Sequence, residues 1–489
     1  MIALLPLDDR PCNTRFPAEI AAIGGDSLSH PSRAMLGHFN TPAVAAPLQN
    51  WLETLPEVEA LIVSVDMLAY GGLVASRTAK TSLEMALSHL ETLAKWRASR
   101  PQTPVYAFNI LMRLAITMDS DAAVPHYYNV MRYARLVDEA ARFPSPQIEA
   151  ELCQVKALIP SEILEEYLEA RSRNHAVNLK MIEALASQTF DFLLITQEDC
   201  TQFGLHRREQ DELLARAEAL GVGERFALHP GADEAALTLL AHHWNTRIRF
   251  GIHWSDVARK RDIALFEDVP YEDALHSHIA AMGGQVARDE ADVELFVNAP
   301  LGISQKEEDA AAKSARGAQV SAFCDAIEAQ IGQGKLVALC DVAFPNGADD
   351  LLLSQLEKRG VLGRLAAFGG WNTAGNTTGT VLAQCAALWR NPNRGAAREL
   401  NRGFVFERLV DDWGYQSRVR AEVENTAREQ GFSPFNMNGQ AAGIEDIARR
   451  ELGNFARQIA PQFDANLEKL DVCLPWGRTF EVEVGAKLV

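Results

Sequence analysis

The chain has 489 residues, 47% of them hydrophobic and 23% charged, which is enough apolar material for a full core and excludes a disordered chain. Its formal net charge of −18 repels nucleic acid and anionic membrane surfaces and does not favour a polyanionic substrate. Neutral, cationic or weakly acidic small molecules fit best, although a local arginine cluster would override the global field.

The first residues, Met1-Ile-Ala-Leu-Leu-Pro-Leu-Asp-Asp, lack a basic n-region and a small-residue cleavage site, and read as a strand rather than a signal peptide. No apolar run reaches the length of a bilayer span. Seven cysteines (12, 153, 200, 324, 340, 385 and 473) are scattered with no CxxC or Cys/His spacing. That pattern points to a reducing, cytoplasmic compartment and argues against a structural zinc site.

From the first residue to about 380, short β-rich runs alternate with helical patterns. Run 2–7 ends in Asp8-Asp9-Arg10 and Asn13. Run 60–65 ends in Asp66 and continues through Gly71-Gly72 to Ser76-Arg77, before a helix at 82–96. Run 105–110 delivers Asn109 and Arg113; a helix at 161–186 then leads to run 190–196, which ends in Gln197-Glu198-Asp199. A helix at 206–220 precedes run 225–228, which ends in His229 and Asp233-Glu234 at the start of a helix at 233–244. Run 248–252 ends in His253-Trp254, and run 293–297 in Asn298 ahead of a helix at 307–330. Run 336–340 ends in Asp341 and Asn346 ahead of a helix at 349–358. Run 365–368 ends in Gly369-Gly370-Trp371-Asn372 and, further on, Asn376.

Near-continuous apolar strands separated by helices imply parallel strands buried on both faces. The pattern predicts a (β/α)8-like barrel over residues 1–385. Two doubly wound α/β domains are the alternative. Residues 386–489 read as a mainly helical subdomain (396–458) closed by a strand pair at 470–474 and 479–484 around Pro475-Trp476-Gly477.

In parallel α/β folds, ligands bind at the carboxyl ends of the strands. Any single polar residue there has a plain explanation. Asp233 or Asp349 can cap the following helix, Asp9-Arg10 can be a structural ion pair, paired glycines can be turns, and His253 can be a core histidine. Capping does not require nearly every strand to deliver an Asp, Glu, Asn, Gln or Arg to one face. There is no GxSxG elbow, GxxxxGK[ST] loop or GxGxxG after the first strand, which disfavours serine hydrolases, NTPases and dinucleotide enzymes. A metal held by Asp8, Asp9, Asp66 and His229 has no HExxH or HxH pair behind it.

Carboxylates, amides and guanidinium groups hold sugar hydroxyls, and Trp371 offers an indole for stacking. The adjacent Glu198-Asp199 fits glycoside hydrolysis, which needs two carboxyl groups around the scissile bond. Asp199 and Glu198 are thus the expected catalytic pair. Asp8, Asp9, Arg10, Asp66, Arg77, Asn109, Arg113, Gln197, Asp233, Glu234, Asp341, Trp371, Asn372 and Asn376 are the expected substrate contacts. No metal and no cofactor is expected.

The motifs PLDDRPCN (6–13), DMLAYGGLVASR (66–77), TQEDCTQFG (196–204), HPGADE (229–234) and GGWNTAGNTTGT (369–380) resemble the bacterial domain of unknown function 4127 family from residue 1 to about 385. The resemblance implies a bacterial cytoplasmic protein linked to carbohydrate or amino-sugar utilisation. Where it leads one to expect an Asp-Asp pair, this chain has Glu198-Asp199. The leading expectation is an exo-acting glycosidase on small, N-acetylhexosamine-containing saccharides. A metal-dependent hydrolase or lyase of a small polar metabolite and a non-catalytic sugar-binding protein are the alternatives. The expected partner is a small carbohydrate, not nucleic acid or membrane, and a homo-oligomer is compatible with the sequence.

Overall fold

The computed structural model describes residues 1–391 and 393–489. The chain is α/β, with a six-stranded and a five-stranded sheet, both parallel, and one antiparallel hairpin. The first sheet holds β1 (Ile2–Leu5), β2 (Leu28–Ser29), β3 (Ala60–Ser64), β4 (Val105–Leu111), β5 (Phe192–Gln197) and β6 (Phe226–Pro230). The second holds β7 (Arg249–Trp254), β8 (Gln285–Val286), β9 (Val293–Asn298), β10 (Val337–Asp341) and β11 (Ala367–Gly369). The hairpin is β12 (Leu467–Cys473) and β13 (Glu483–Leu488).

All nine apolar runs form strands, but they do not close into a barrel. Among the described residues β6 pairs with β5 alone, and β7 pairs with β8 and β9. The series therefore breaks after Pro230, and the single barrel expected from the βα alternation gives way to two open sheets. Contacts divide the chain into two compact units. One comprises residues 1–18, 26–239 and 266–268; the other comprises 19–25, 240–265 and 269–489.

In the first unit the strand order is β2-β1-β3-β4-β5-β6. The chain leaves β1 for β2 on one flank and returns to β3 on the other, which makes the β1/β3 boundary the point where the winding reverses. Both faces of β1 and β3 are buried, since Ile2, Ala3, Leu4, Leu5, Leu61, Ile62 and Val63 have no exposure. That double burial explains the unbroken apolar runs. Ala3, Leu5, Leu61, Val63, Leu193 and Ile195 pack against Leu48, Leu52, Leu93, Trp96, Ile182 and Leu185 from the helices. Each large aliphatic side chain so buried contributes about 1.5–3 kcal/mol. The β4–β5 crossover carries three helices, Ala123–Arg142, Pro146–Ala157 and Ser161–Ala186. They share a small apolar cluster of their own, including Val130, Leu136, Val155, Leu164 and Tyr167.

The second unit winds in the same sense, β8-β7-β9-β10-β11. Residues 386–489, expected as a C-terminal subdomain, share one core with this sheet. Phe296, Val337 and Leu339 join Val405, Phe406, Trp413, Leu452, Val472 and Val484 there. Between two of its helices, Leu409–Val419 is π-helical, a rare geometry that buries Asp411, Asp412 and Trp413. No described helix is long and apolar enough to cross a membrane.

Candidate functional site

The first unit gathers charge at the winding reversal. The turn after β1 places Asp8, Asp9 and Arg10, all buried, at the head of the sheet. Arg10 is fully engaged: its Nε donates to Asp8 Oδ2 at 3.0 Å, and its Nη2 donates to Asp8 Oδ2 at 2.7 Å and to Asp233 Oδ1 at 2.5 Å. Asn13 Nδ2 bridges the same two carboxylates at 2.9 and 3.2 Å. Asp233 follows β6, four strands from β1 in the sheet order. The Arg10–Asp233 pair therefore spans four strands of the sheet and joins the loops after β1 and β6. Burial pushes the Asp233 carboxyl up to about 6, with Arg10 opposing and Asp8 adding to the rise. Asp9 turns aside to His38 Nδ1 at 2.9 Å. Asp8, Asp9 and Asp66 thus have separate partners and do not converge as a metal set.

A second cluster forms where β3, β4 and β5 end. Arg77 donates to Glu198 Oε1, and Arg113 pairs with both Glu198 (3.8 Å) and Asp199. The Arg113 backbone N–H also faces Glu198 Oε2 at 3.4 Å. Burial alone would raise the Glu198 carboxyl, but the two guanidinium groups outweigh it and hold Glu198 below its ordinary range. Burial lowers the Arg77 guanidinium to about 10, against the pull of Glu198. The charge of Arg10 adds a small repulsion at both Arg77 and Arg113.

Asp66 lies in the first turn of the short helix Val65–Tyr70, whose N-cap Ser64 accepts from the Met67 N–H at 3.1 Å. Its Oδ2 accepts the Ile110 N–H at 2.8 Å. Burial pushes the Asp66 carboxyl up to about 7; the Ile110 bond opposes this and the nearby Glu198 charge adds to it. Asp66 is therefore half-protonated near neutrality beside an ion-paired Glu198, two carboxyl groups in different protonation states within one site.

The other expected residues divide. Asn109 Nδ2 donates to Asn178 Oδ1 at 2.7 Å, while Asn109 Oδ1 and Arg77 Nε have no hydrogen-bond partner among the described residues. Buried polar capacity of this kind is what a ligand satisfies. Gln197 serves the backbone instead, donating to Glu198 O at 2.7 Å. Glu234 accepts the Ala232 N–H at 2.8 Å and is raised by burial. Gly231 makes room for that carboxylate: a Cβ there would lie 1.9 Å from Glu234 Oε1, at a φ of +131°.

Asp341, Trp371, Asn372 and Asn376 belong to the second unit. Asp341 accepts from Asn298 Nδ2 at 2.9 Å and from the Asp349 N–H at 2.7 Å, and burial raises it to about 7 with the Asp349 charge adding. Asp349 caps its helix, accepting from the Leu351 N–H at 3.0 Å, and also pairs with Arg316 at 2.8 Å. Trp371 is buried, at 6% exposure, so its ring packs inside rather than offering a face for stacking. Asp412, absent from the expected set, accepts the Gly370 N–H at 2.9 Å and is raised by burial to about 8 despite its pair with Arg408.

The expected set also lacked the long helix Ser161–Ala186. It contributes Arg171, Arg173, Asn174 and Asn178, all buried. Arg173 donates to Ser76 O at 2.6 Å and lies 4.2 Å from the Tyr70 ring centroid. Arg171 grips Glu209 through two bonds of 2.7 Å and donates to Met112 O at 2.9 Å. Arg171, Asn174 and Asn178 recur at helical spacing on the face that also carries Leu164 and Tyr167. Polar residues on an apolar stripe were the available signal.

No curated protein and no solved structure matches the chain. A family model described as a protein of unknown function matches residues 2–485, nearly the whole chain. By that match, the chain belongs to the DUF4127 family.

Proposed function

We propose that this chain is a hydrolase cleaving glycosidic bonds in small saccharides, with its active site at the strand ends of the first unit. The observation that carries the reading is Asp66, a buried carboxyl raised to about 7 at the winding reversal, beside a Glu198 held as an anion by two arginines. Glycoside hydrolysis uses such a pair: a protonated carboxyl to release the leaving oxygen, and a carboxylate to stabilise or attack the positive anomeric carbon. Asp66 takes the place of Asp199 beside Glu198 in the expected catalytic pair, because Asp199 is bound in an ion pair with Arg113. Asn109 Oδ1 and Arg77 Nε supply an open acceptor and donor for sugar hydroxyls, Asp8, Arg10, Asn13 and Asp233 form the charged network at the same sheet's head, and 2-acetamido sugars remain the first class to try.

A panel of nitrophenyl glycosides, including 2-acetamido sugars, tests the reading with the wild type, Asp66→Asn and Glu198→Gln. The wild type is expected to turn over at least one substrate, and each variant to lose about 10²–10⁴-fold in kcat. Full activity in Asp66→Asn, or no turnover of any glycoside by the wild type, overturns it.

A further inference from the structure

Cys200 lies in the loop after β5, His206 is the second residue of the helix Leu205–Ala219, and Asp268 belongs to the short segment 266–268 of the first unit. All three are buried, at 1%, 0% and 4% exposure. One donor atom from each lies within 4.8 Å of the other two, the span of ligands around a single ion. The segment is pinned beside the cysteine, since the Cys200 N–H donates to Phe266 O at 3.0 Å.

A plain histidine–aspartate contact explains only part of this. His206 Nε2 stands 3.2 Å from Asp268 Oδ2, yet neither ring nitrogen has an aligned hydrogen bond, and Asp268 Oδ1 has no partner among the described residues. The Cys200 thiol has only a 3.7 Å contact with Phe266 O. Two buried polar groups with unmet capacity, set beside a buried thiol, are costly unless something fills the space between them. The other carboxylate oxygen is already oriented from behind, as Asp268 Oδ2 accepts from Gln210 Nε2 at 2.8 Å and Arg207 Nη1 at 2.9 Å. Outer groups of this kind hold ligating carboxylates in place at metal sites. Gly204 keeps the histidine seated, because a Cβ there would lie 2.9 Å from His206 Nδ1.

We propose that Cys200, His206 and Asp268 bind a divalent transition-metal ion of the zinc class. A thiolate, a carboxylate and a neutral imidazole carry two negative charges, which a 2+ ion balances. Sulfur and nitrogen donors select zinc over magnesium or calcium, which take oxygen ligands. Binding displaces the thiol proton, which burial and the Asp268 and Glu267 charges otherwise retain on Cys200. The ion would tie the loop that carries Glu198 and Asp199 to the first turn of the following helix and to the segment 266–268.

The test uses the full chain, stripped by chelator and reloaded with zinc or cobalt(II). The wild type is expected to retain about one ion per chain after desalting, as structural sites do. Its cobalt form should show a near-ultraviolet thiolate charge-transfer band. Cys200→Ser should lose that band, and Gln210→Ala should raise the zinc Kd about 10–100-fold by freeing the carboxylate. Cys153→Ser, at an exposed cysteine, should change nothing. A wild type with no retained ion and no thiolate band overturns the proposal, as does a band that depends on Cys153 or persists in Cys200→Ser. If Cys200→Ser does not fold by circular dichroism, the wild-type cobalt spectrum decides. None of these readouts involves turnover, so the site stands or falls apart from the glycosidase reading.

Discussion

Replacing Asp66 by asparagine should make the protein more stable as the pH rises, and the size of the effect follows from its burial. A carboxyl at about 7 in the folded chain, against an ordinary 3.8, holds its proton in the native state about 4 kcal/mol more tightly than in the unfolded one. Below about pH 4 both states are protonated and the difference contributes nothing. Between about pH 4 and 7 unfolding releases the proton, so the wild type loses stability as pH rises, and above about 7 the loss is complete. Asparagine does not titrate, and its side-chain oxygen can still accept the Ile110 N–H that Asp66 accepts at 2.8 Å. Urea unfolding of both proteins at several pH values, followed by circular dichroism, measures the gap. Relative to its value near pH 4.5, where about 1 kcal/mol is already lost, it should move about 3 kcal/mol in favour of the variant by about pH 8.5. Parallel pH profiles for the two proteins would refute the assignment of Asp66 as a buried, proton-retaining acid.

Glu198→Gln leaves Arg77 without its buried counter-charge and Arg113 with Asp199 alone, and should cost about 3–5 kcal/mol in denaturant unfolding; a cost below about 1 kcal/mol would mean the pair is effectively solvated. Arg10→Leu removes the guanidinium that opposes the rise of the Asp233 carboxyl and leaves the Asp8 charge beside it, so its destabilisation should grow from acid toward alkaline pH; a pH-independent loss speaks against that coupling. Gly231→Ala should destabilise by about 1–3 kcal/mol through its φ and its collision with Glu234, and Glu234→Ala in the same chain should recover part of the loss; strictly additive effects in that cycle would place the cost in the backbone alone.

The strands were readable because parallel strands buried on both faces must be apolar along their whole length, as in Leu61-Ile62-Val63. Their partners were not. Alternating strands and helices describe a barrel and two open sheets equally well, and nothing between Trp244 and Arg249 marks the chain's passage to a new sheet. The two-residue strands β2 and β8 are too short to carry a pattern. Site residues directly after strands, such as Asp66 and Glu198, were visible because position alone nominates them. Arg173 and Asn178 were not nominated, since they enter from a helix. Cys200 and His206 are near each other in sequence, but Asp268 is brought beside them only by the fold, which is why the cysteines read as scattered.

The strand order also bears on how the protein avoids sticking to itself. An edge strand with free amides and carbonyls is a template for another chain, and long flat edges invite aggregation. In both units the second strand of the winding is sent to the outside, and in both it is two residues long, Leu28–Ser29 and Gln285–Val286. The opposite edges are blunted as well: β11 has three residues, and β6 ends on Pro230, which has no amide hydrogen to offer. The outer strands β2 and β8 therefore offer little ladder of their own to an incoming chain, and a substitution that lengthened either would be expected to lower solubility before it disturbed a core.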